Sequence, residues 1–200
     1  QAGLITKPLY VVPNHMLAQF GREFLQLYPN AKLLLAAKED FTRARRKLLT
    51  AKMASGVWDG IITTHSSFER IGMSQAFQER FLRQQIAAYD QLLCDSAAAA
   101  TSHAHRNILK TLEKQKARRE ERLTDLLAEE KKDDGLVFDE LGVDHIFIDE
   151  AHYFKNLETP TKMERVAGIQ TGGSERAFDL YMKTLYLHQQ HPEAAHHRDR

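Results

Sequence analysis

The sequence predicts an α/β fold: a mostly parallel sheet with flanking helices and an inserted helical hairpin. Short apolar, β-branched runs of strand length alternate with longer segments whose apolar residues recur at helical spacing. The stretch between the third and fourth of these runs is helical in period throughout. The fourth run ends in two adjacent acids, as suits the carboxyl end of a parallel strand.

Leu9-Tyr10-Val11-Val12, bracketed by Pro8 and Pro13, reads as a central strand buried on both faces. From Met16 to Tyr28, Leu17, Phe20, Phe24 and Leu27 shift the apolar period from two to about 3.6, so a helix follows. Pro29-Asn30 ends it, and Lys32-Leu33-Leu34-Leu35 reads as the second strand. Phe41 to Met53 reads as a basic helix with Asp40 available as a cap. Gly56 breaks that pattern before Trp58-Asp59-Gly60-Ile61-Ile62-Thr63-Thr64, a third strand running into the polar loop His65-Ser66-Ser67. His145-Ile146-Phe147-Ile148 is the fourth, followed at once by Asp149-Glu150-Ala151-His152.

Between the third and fourth strands, Phe77, Phe81, Ile86, Tyr89 and Leu93 mark one helical face. Ile108, Leu112, Leu123, Leu126 and Leu127 mark a second, with Ala97 to Ser102 as the connection. The spacing predicts an antiparallel hairpin. Its basic residues Lys114, Lys116, Arg118, Arg119 and Arg122 interleave with Glu113, Glu120 and Glu121, which favours pairing along the helix over a phosphate-contacting arm. The expected division is 1–73 for the first part of the sheet domain, 74–134 for the hairpin, 135–190 for the remainder with the acidic pair, and 191–200 for a polar tail.

Two hundred residues suffice for one such domain with an excursion, and 42% hydrophobic with 28% charged residues excludes a disordered chain. A formal charge of +1 gives no global argument for nucleic acid. The single Cys94 excludes an intrachain disulfide and a cysteine-rich zinc site. No apolar run approaches the ~20 residues that span a bilayer. Nothing has the form of a signal peptide, so a cytoplasmic location without membrane contact is expected. The histidine-rich stretch His191 to Arg200 reads as a frayed end rather than a metal site.

The sharpest chemical signal is Asp149-Glu150 at a strand end, where adjacent acids are not expected to be core residues. In a nucleotide hydrolase the first acid can hold magnesium and the second can orient the attacking water. The competing account is a strand-end Asp149 capping the next helix, with Glu150 in its first turn and His152 solvated. Pro13-Asn14-His15, leading into a helix, offers backbone N–H groups to a phosphate, while Asn14 also suits a helix N-cap. Ser66 and Ser67 can donate to phosphate or serve as loop and cap residues.

Asp149-Glu150-Ala151-His152 with Tyr153-Phe154-Lys155-Asn156 resembles the DEAH-type Walker B motif of superfamily 2 helicases, especially double-stranded-DNA translocases related to chromatin remodellers. Val11-Val12-Pro13-Asn14 with Gln19, Phe20 and Glu23-Phe24 resembles the motif of these ATPases that lines the nucleic-acid track. Ile61-Ile62-Thr63-Thr64-His65-Ser66-Ser67-Phe68 resembles the next strand-loop motif. The fold so implied is an incomplete RecA-like sheet, part of a first motor lobe. The resemblance implies Asp149 as magnesium ligand, Glu150 as catalytic base and His152 as the coupling residue. It implies Pro13, Asn14, Gln19, Thr64, Ser66, Ser67, Lys155 and Asn156 as nucleic-acid contacts.

Asp149 to Asn156, Thr161-Lys162-Met163 and Gly173 to Leu180 resemble a narrower group. These are large phage, plasmid and mobile-element proteins that fuse such a helicase to an adenine-specific DNA methyltransferase. Ser174-Glu175-Arg176 begins a helix there, with Ser174 as N-cap.

The sequence contains no Gly-x-x-x-x-Gly-Lys-Ser/Thr, and it lacks the threonine-glycine-proline motif and arginine finger expected downstream. The resemblance implies a parent that uses ATP and Mg2+ on double-stranded DNA. Its Walker A segment and second RecA-like lobe would come from elsewhere, and this chain alone would bind nucleotide weakly. Two alternatives stand beside it: a noncatalytic nucleic-acid-binding or partner-docking module, and an unrelated α/β hydrolase-like protein whose acidic pair holds a metal.

Overall fold

The computed structural model describes residues 5–97, 103–128, 137–157 and 173–190. Four strands, β1 (Pro8–Val12), β2 (Leu33–Ala36), β3 (Gly60–Thr64) and β4 (His145–Ile148), form one sheet in the order β2-β3-β1-β4, with every pair parallel. With helices flanking it, this sheet matches an incomplete RecA-like α/β fold carrying an inserted helical segment, the predicted class. The chain divides into two compact units; 5–74, 137–155 and 175–190 are the described parts of the first.

In the first unit, β1 lies between β3 and β4, which explains its unbroken apolar run: Leu9 and Val11 are both 0% exposed. Burying such side chains contributes about 1.5–3 kcal/mol each. The register sets Leu35, Ile62, Tyr10 and Phe147 in one row across the sheet. That face is covered by α1 (Leu17–Leu27), whose Phe20 and Phe24 rings lie 5.7 and 5.5 Å from the Tyr10 ring. Just before β1, Lys7 donates from Nζ to the carbonyl of Ala54 at 2.8 Å. It thereby places a cation at the C-terminal end of α2 (Arg43–Ser55), where the helix dipole favours one.

Several boundaries differ from expectation for local reasons. The segment before α2 is not one helix from Phe41: Lys38–Phe41 is a 3-10 turn, closed where Asp40 Oδ2 accepts from Ala37 N at 3.1 Å, and Phe41 is buried. Trp58 and Asp59 do not join β3. Trp58 folds back so that Nε1 donates to the Lys52 carbonyl at 2.8 Å, capping α2. A Cβ on Gly56 would lie 2.1 Å from that indole nitrogen, so this turn needs glycine. Asn14 does not cap α1; its N-cap is Met16, which makes no side-chain cap, and Met16 N bonds Pro13 O at 2.9 Å.

Also in the first unit, α3 (His65–Phe68) follows β3 directly, and α6 (Glu175–Gln190) buries Ala177, Phe178, Met182, Lys183 and Leu187. A 3-10 turn, Ala151–Phe154, follows β4.

The second unit contains α4 (Gln75–Ala97) and α5 (His103–Ala128). Gln75 Nε2 donates to Leu126 O at 2.9 Å and Lys116 Nζ meets Asp90 Oδ1 at 2.7 Å. The start of one helix thus meets the end of the other, an antiparallel hairpin as the sequence pattern predicts. Lys116 also reaches Glu120 at 3.3 Å, the along-helix pairing expected of the interleaved charges. The Ala97–Ser102 connection lies largely outside the described residues, and Thr161-Lys162-Met163 and the tail from His191 lie wholly outside them. No helix among the described residues is long and apolar enough to cross a membrane.

Candidate functional site

Because the strands are parallel, the loops leaving β1, β3 and β4 emerge at one edge of the sheet. Val12 is level with Thr64, and Val11 with Ile148, so the three exits are in step. The ladder continues one residue further, where Asp149 N donates to Val11 O at 2.9 Å. From β1 the chain passes to β2 on one side, while β4 lies on the other. The crevice between the ends of β1 and β4 is therefore a topological switch point, the usual ligand position in open α/β sheets.

Asp149 and Glu150 both stand exposed at this edge. Among the described residues the Asp149 carboxylate has no hydrogen-bond or ion-pair partner, and it does not cap the following turn. Glu150 has φ 52, a left-handed conformation that costs a non-glycine residue energy and is held only where its surroundings impose it. Three contacts impose it here. Asp149 N is held by Val11, the Asp149 carbonyl lies 2.9 Å from His65 Nε2, and Tyr153 N donates to Glu150 O at 3.0 Å. The Glu150 carboxylate meets His152 Nδ1 at 2.9 Å, both side chains being largely exposed, so this pair contributes little to stability.

On the β1 and β3 side, Asn14 Oδ1 accepts from Ser66 Oγ at 3.0 Å, joining the two loops. Thr64 and Ser67 are buried and occupied with each other: Ser67 N donates to Thr64 Oγ1, and the two hydroxyls are 2.9 Å apart. Pro13 is half-buried. Gln19 is exposed on α1, bonded to Glu23 at 2.8 Å. Lys155 is exposed, with its N–H bonded to His152 O. The edge thus brings together Pro13, Asn14, Ser66, Asp149, Glu150 and His152, while Thr64 and Ser67 shape the loop from within. Asn156 belongs to the second unit, where it has φ 73 and its carbonyl accepts from Ser174 N at 2.9 Å.

Sequence reasoning gave no individual role to His65 or Tyr153, and read Arg176 as a phosphate contact or, more simply, a solvated surface residue. His65 is buried, its ring stacked on Tyr153 at 4.7 Å. The Arg176 guanidinium lies 4.4 Å from the Tyr153 centroid, and its Nε is 3.2 Å from Glu69 Oε1. The only sequence signal for His65 was its place as the first residue beyond β3.

Magnesium needs one or two carboxylates, with water and substrate phosphates completing its octahedron. The exposed Asp149 carboxylate, without a partner among the described residues, fits that demand. Among the described residues no group of three or more His, Cys, Asp or Glu could hold a metal ion by itself.

A family model described as a probable helicase domain matches residues 1–194. No curated protein and no solved structure matches the chain.

Proposed function

The chain belongs to the probable helicase domain family, and on that premise we propose that it forms part of the first motor lobe of an ATP-dependent DNA translocase of the DEAH type. The observation that supports this best is the exposed acidic pair at the switch-point end of β4, one member unpartnered and the other in left-handed backbone. Asp149 would hold magnesium, which when bound neutralises charge developing on the phosphates. Glu150 would accept a proton from water, and His152, its present partner at 2.9 Å, would exchange that contact as the site changes state.

Asn14 and Ser66, adjoining on neighbouring strand ends, would contact the backbone of duplex DNA, with Pro13, Gln19 and Lys155 beside the same track. Thr64 and Ser67 would act by holding that loop, and Asn156 through its own turn. Residues 1–73 and 135–190 would form the lobe and 74–134 its insertion. The phosphate-binding loop and second lobe would complete the motor. A fused or associated adenine-specific DNA methyltransferase is the partner implied by motif resemblance.

DNA-stimulated ATP turnover of the complete protein tests the assignment. Glu150→Gln keeps the size of the side chain and removes the base, so turnover should drop at least about a hundred-fold. Turnover equal to the unsubstituted protein overturns it.

A further inference from the structure

We propose that His65 is a positioning residue for the acidic pair, acting through the backbone carbonyl of Asp149; the proposal rests on the reading of Glu150 as the base. β3 and β4 are not neighbours, since β1 separates them, yet His65 reaches past the end of β1 to bring Nε2 within 2.9 Å of the Asp149 oxygen. A carbonyl can only accept, so Nε2 carries the proton and donates. The bond fixes the peptide plane between Asp149 and Glu150. With Asp149 N held by Val11 and the Glu150 carbonyl accepting from Tyr153 N, the peptides on both sides of the left-handed Glu150, φ 52, are anchored.

The donor is itself held. The His65 ring stacks on Tyr153 at 4.7 Å with 25° between the planes, and its edge contact with Phe154 is 5.4 Å between centroids. Arg176 lies over Tyr153 and pairs with Glu69, the C-cap residue just after the short helix begun by His65. The imidazole therefore has little freedom to leave the carbonyl. Preorganisation of this kind matters because an error of about 1 Å in a reacting group can cost roughly a hundred-fold in rate.

Two substitutions separate the hydrogen bond from the ring. His65→Phe keeps the stack on Tyr153 and removes the donor, whereas His65→Gln carries an amide nitrogen to roughly the place of Nε2. In the complete protein, His65→Phe should lower kcat for DNA-stimulated ATP hydrolysis roughly ten- to a hundred-fold, by analogy with groups that orient metal ligands, with KM for ATP little changed. His65→Gln should retain most of the turnover. Hydrogen exchange followed by mass spectrometry should show faster exchange at the Asp149 and Tyr153 amides in the Phe form only.

Unchanged exchange over residues 149–153 in His65→Phe overturns the proposal whatever the turnover does. Normal turnover in His65→Phe beside an inactive Glu150→Gln also overturns it, and leaves the acidic-pair assignment standing. A Gln form as impaired as the Phe form would make ring packing the cause and overturns it too. Full turnover in Glu150→Gln removes the assignment on which the proposal rests.

Discussion

The ammonium of Lys183 donates to the main-chain carbonyl of Phe68 at 2.9 Å from a side chain with no solvent exposure. It also meets Asp179 Oδ2 at 2.6 Å and lies 4.0 Å from the Phe68 ring centroid. A helix residue thereby secures the last residue of α3, the segment whose first residue is His65.

Replacing Lys183 by methionine keeps the aliphatic volume and leaves the Phe68 carbonyl without this donor. A loss of about 1–3 kcal/mol of unfolding free energy is expected, read by urea denaturation. Burial pushes the Lys183 pKa below its ordinary value against the pull of Asp179 and Glu69. Between the lowered folded pKa and the ordinary 10.5, the unfolded chain binds more protons, so this group's contribution to stability increases as pH rises through that window. The gap between the Lys183→Met form and the unsubstituted protein should widen correspondingly in mild alkali.

Asp144 governs the acid side. Burial pulls its pKa upward, but the Thr6 hydroxyl and the N–H groups of Thr6 and Lys7 outweigh this, holding the carboxyl below 3.8. A depressed folded pKa means stability present above the unfolded value and lost as pH falls through the folded one. Asp144→Asn should cost about 1–2 kcal/mol at neutral pH, a charged-group hydrogen-bond value reduced for partial exposure. It should also flatten the decline of stability in acid, measured by thermal unfolding across that range.

Asn14 and Ser66 share one hydrogen bond, so their effects on DNA binding should not add. Asn14→Ala and Ser66→Ala in the complete protein should each weaken binding a few-fold. The double substitution should be milder than the product of the two, in a titration at fixed salt. Multiplicative losses would mean that each side chain acts separately.

β1 was legible because its burial demands a continuous apolar run, set off by prolines, and β4 because its short apolar run ends at the two acids. The face of α1 was legible because Phe20 and Phe24 recur at the helical period and meet Tyr10. Trp58 misled because its β propensity was overridden by a hydrogen bond to the end of the preceding helix. The buried Thr64–Ser67 pairing was equally hidden, since both residues suit a polar surface loop by type. At the edge, the strand-end place of Asp149 and Glu150 could be read from adjacent residues. The contact that fixes their peptide could not, because His65 and Asp149 are 84 residues apart and meet only once the strand order is set.

Glycine would adopt the backbone of residue 150 freely, yet it would carry no carboxylate. Relief of this left-handed conformation by Glu150→Gly favours folding while deleting the proposed base. Selection for heat resistance alone would therefore tend to erode the proposed activity at this position. Laboratory evolution of a hardier domain should be run under concurrent pressure for turnover.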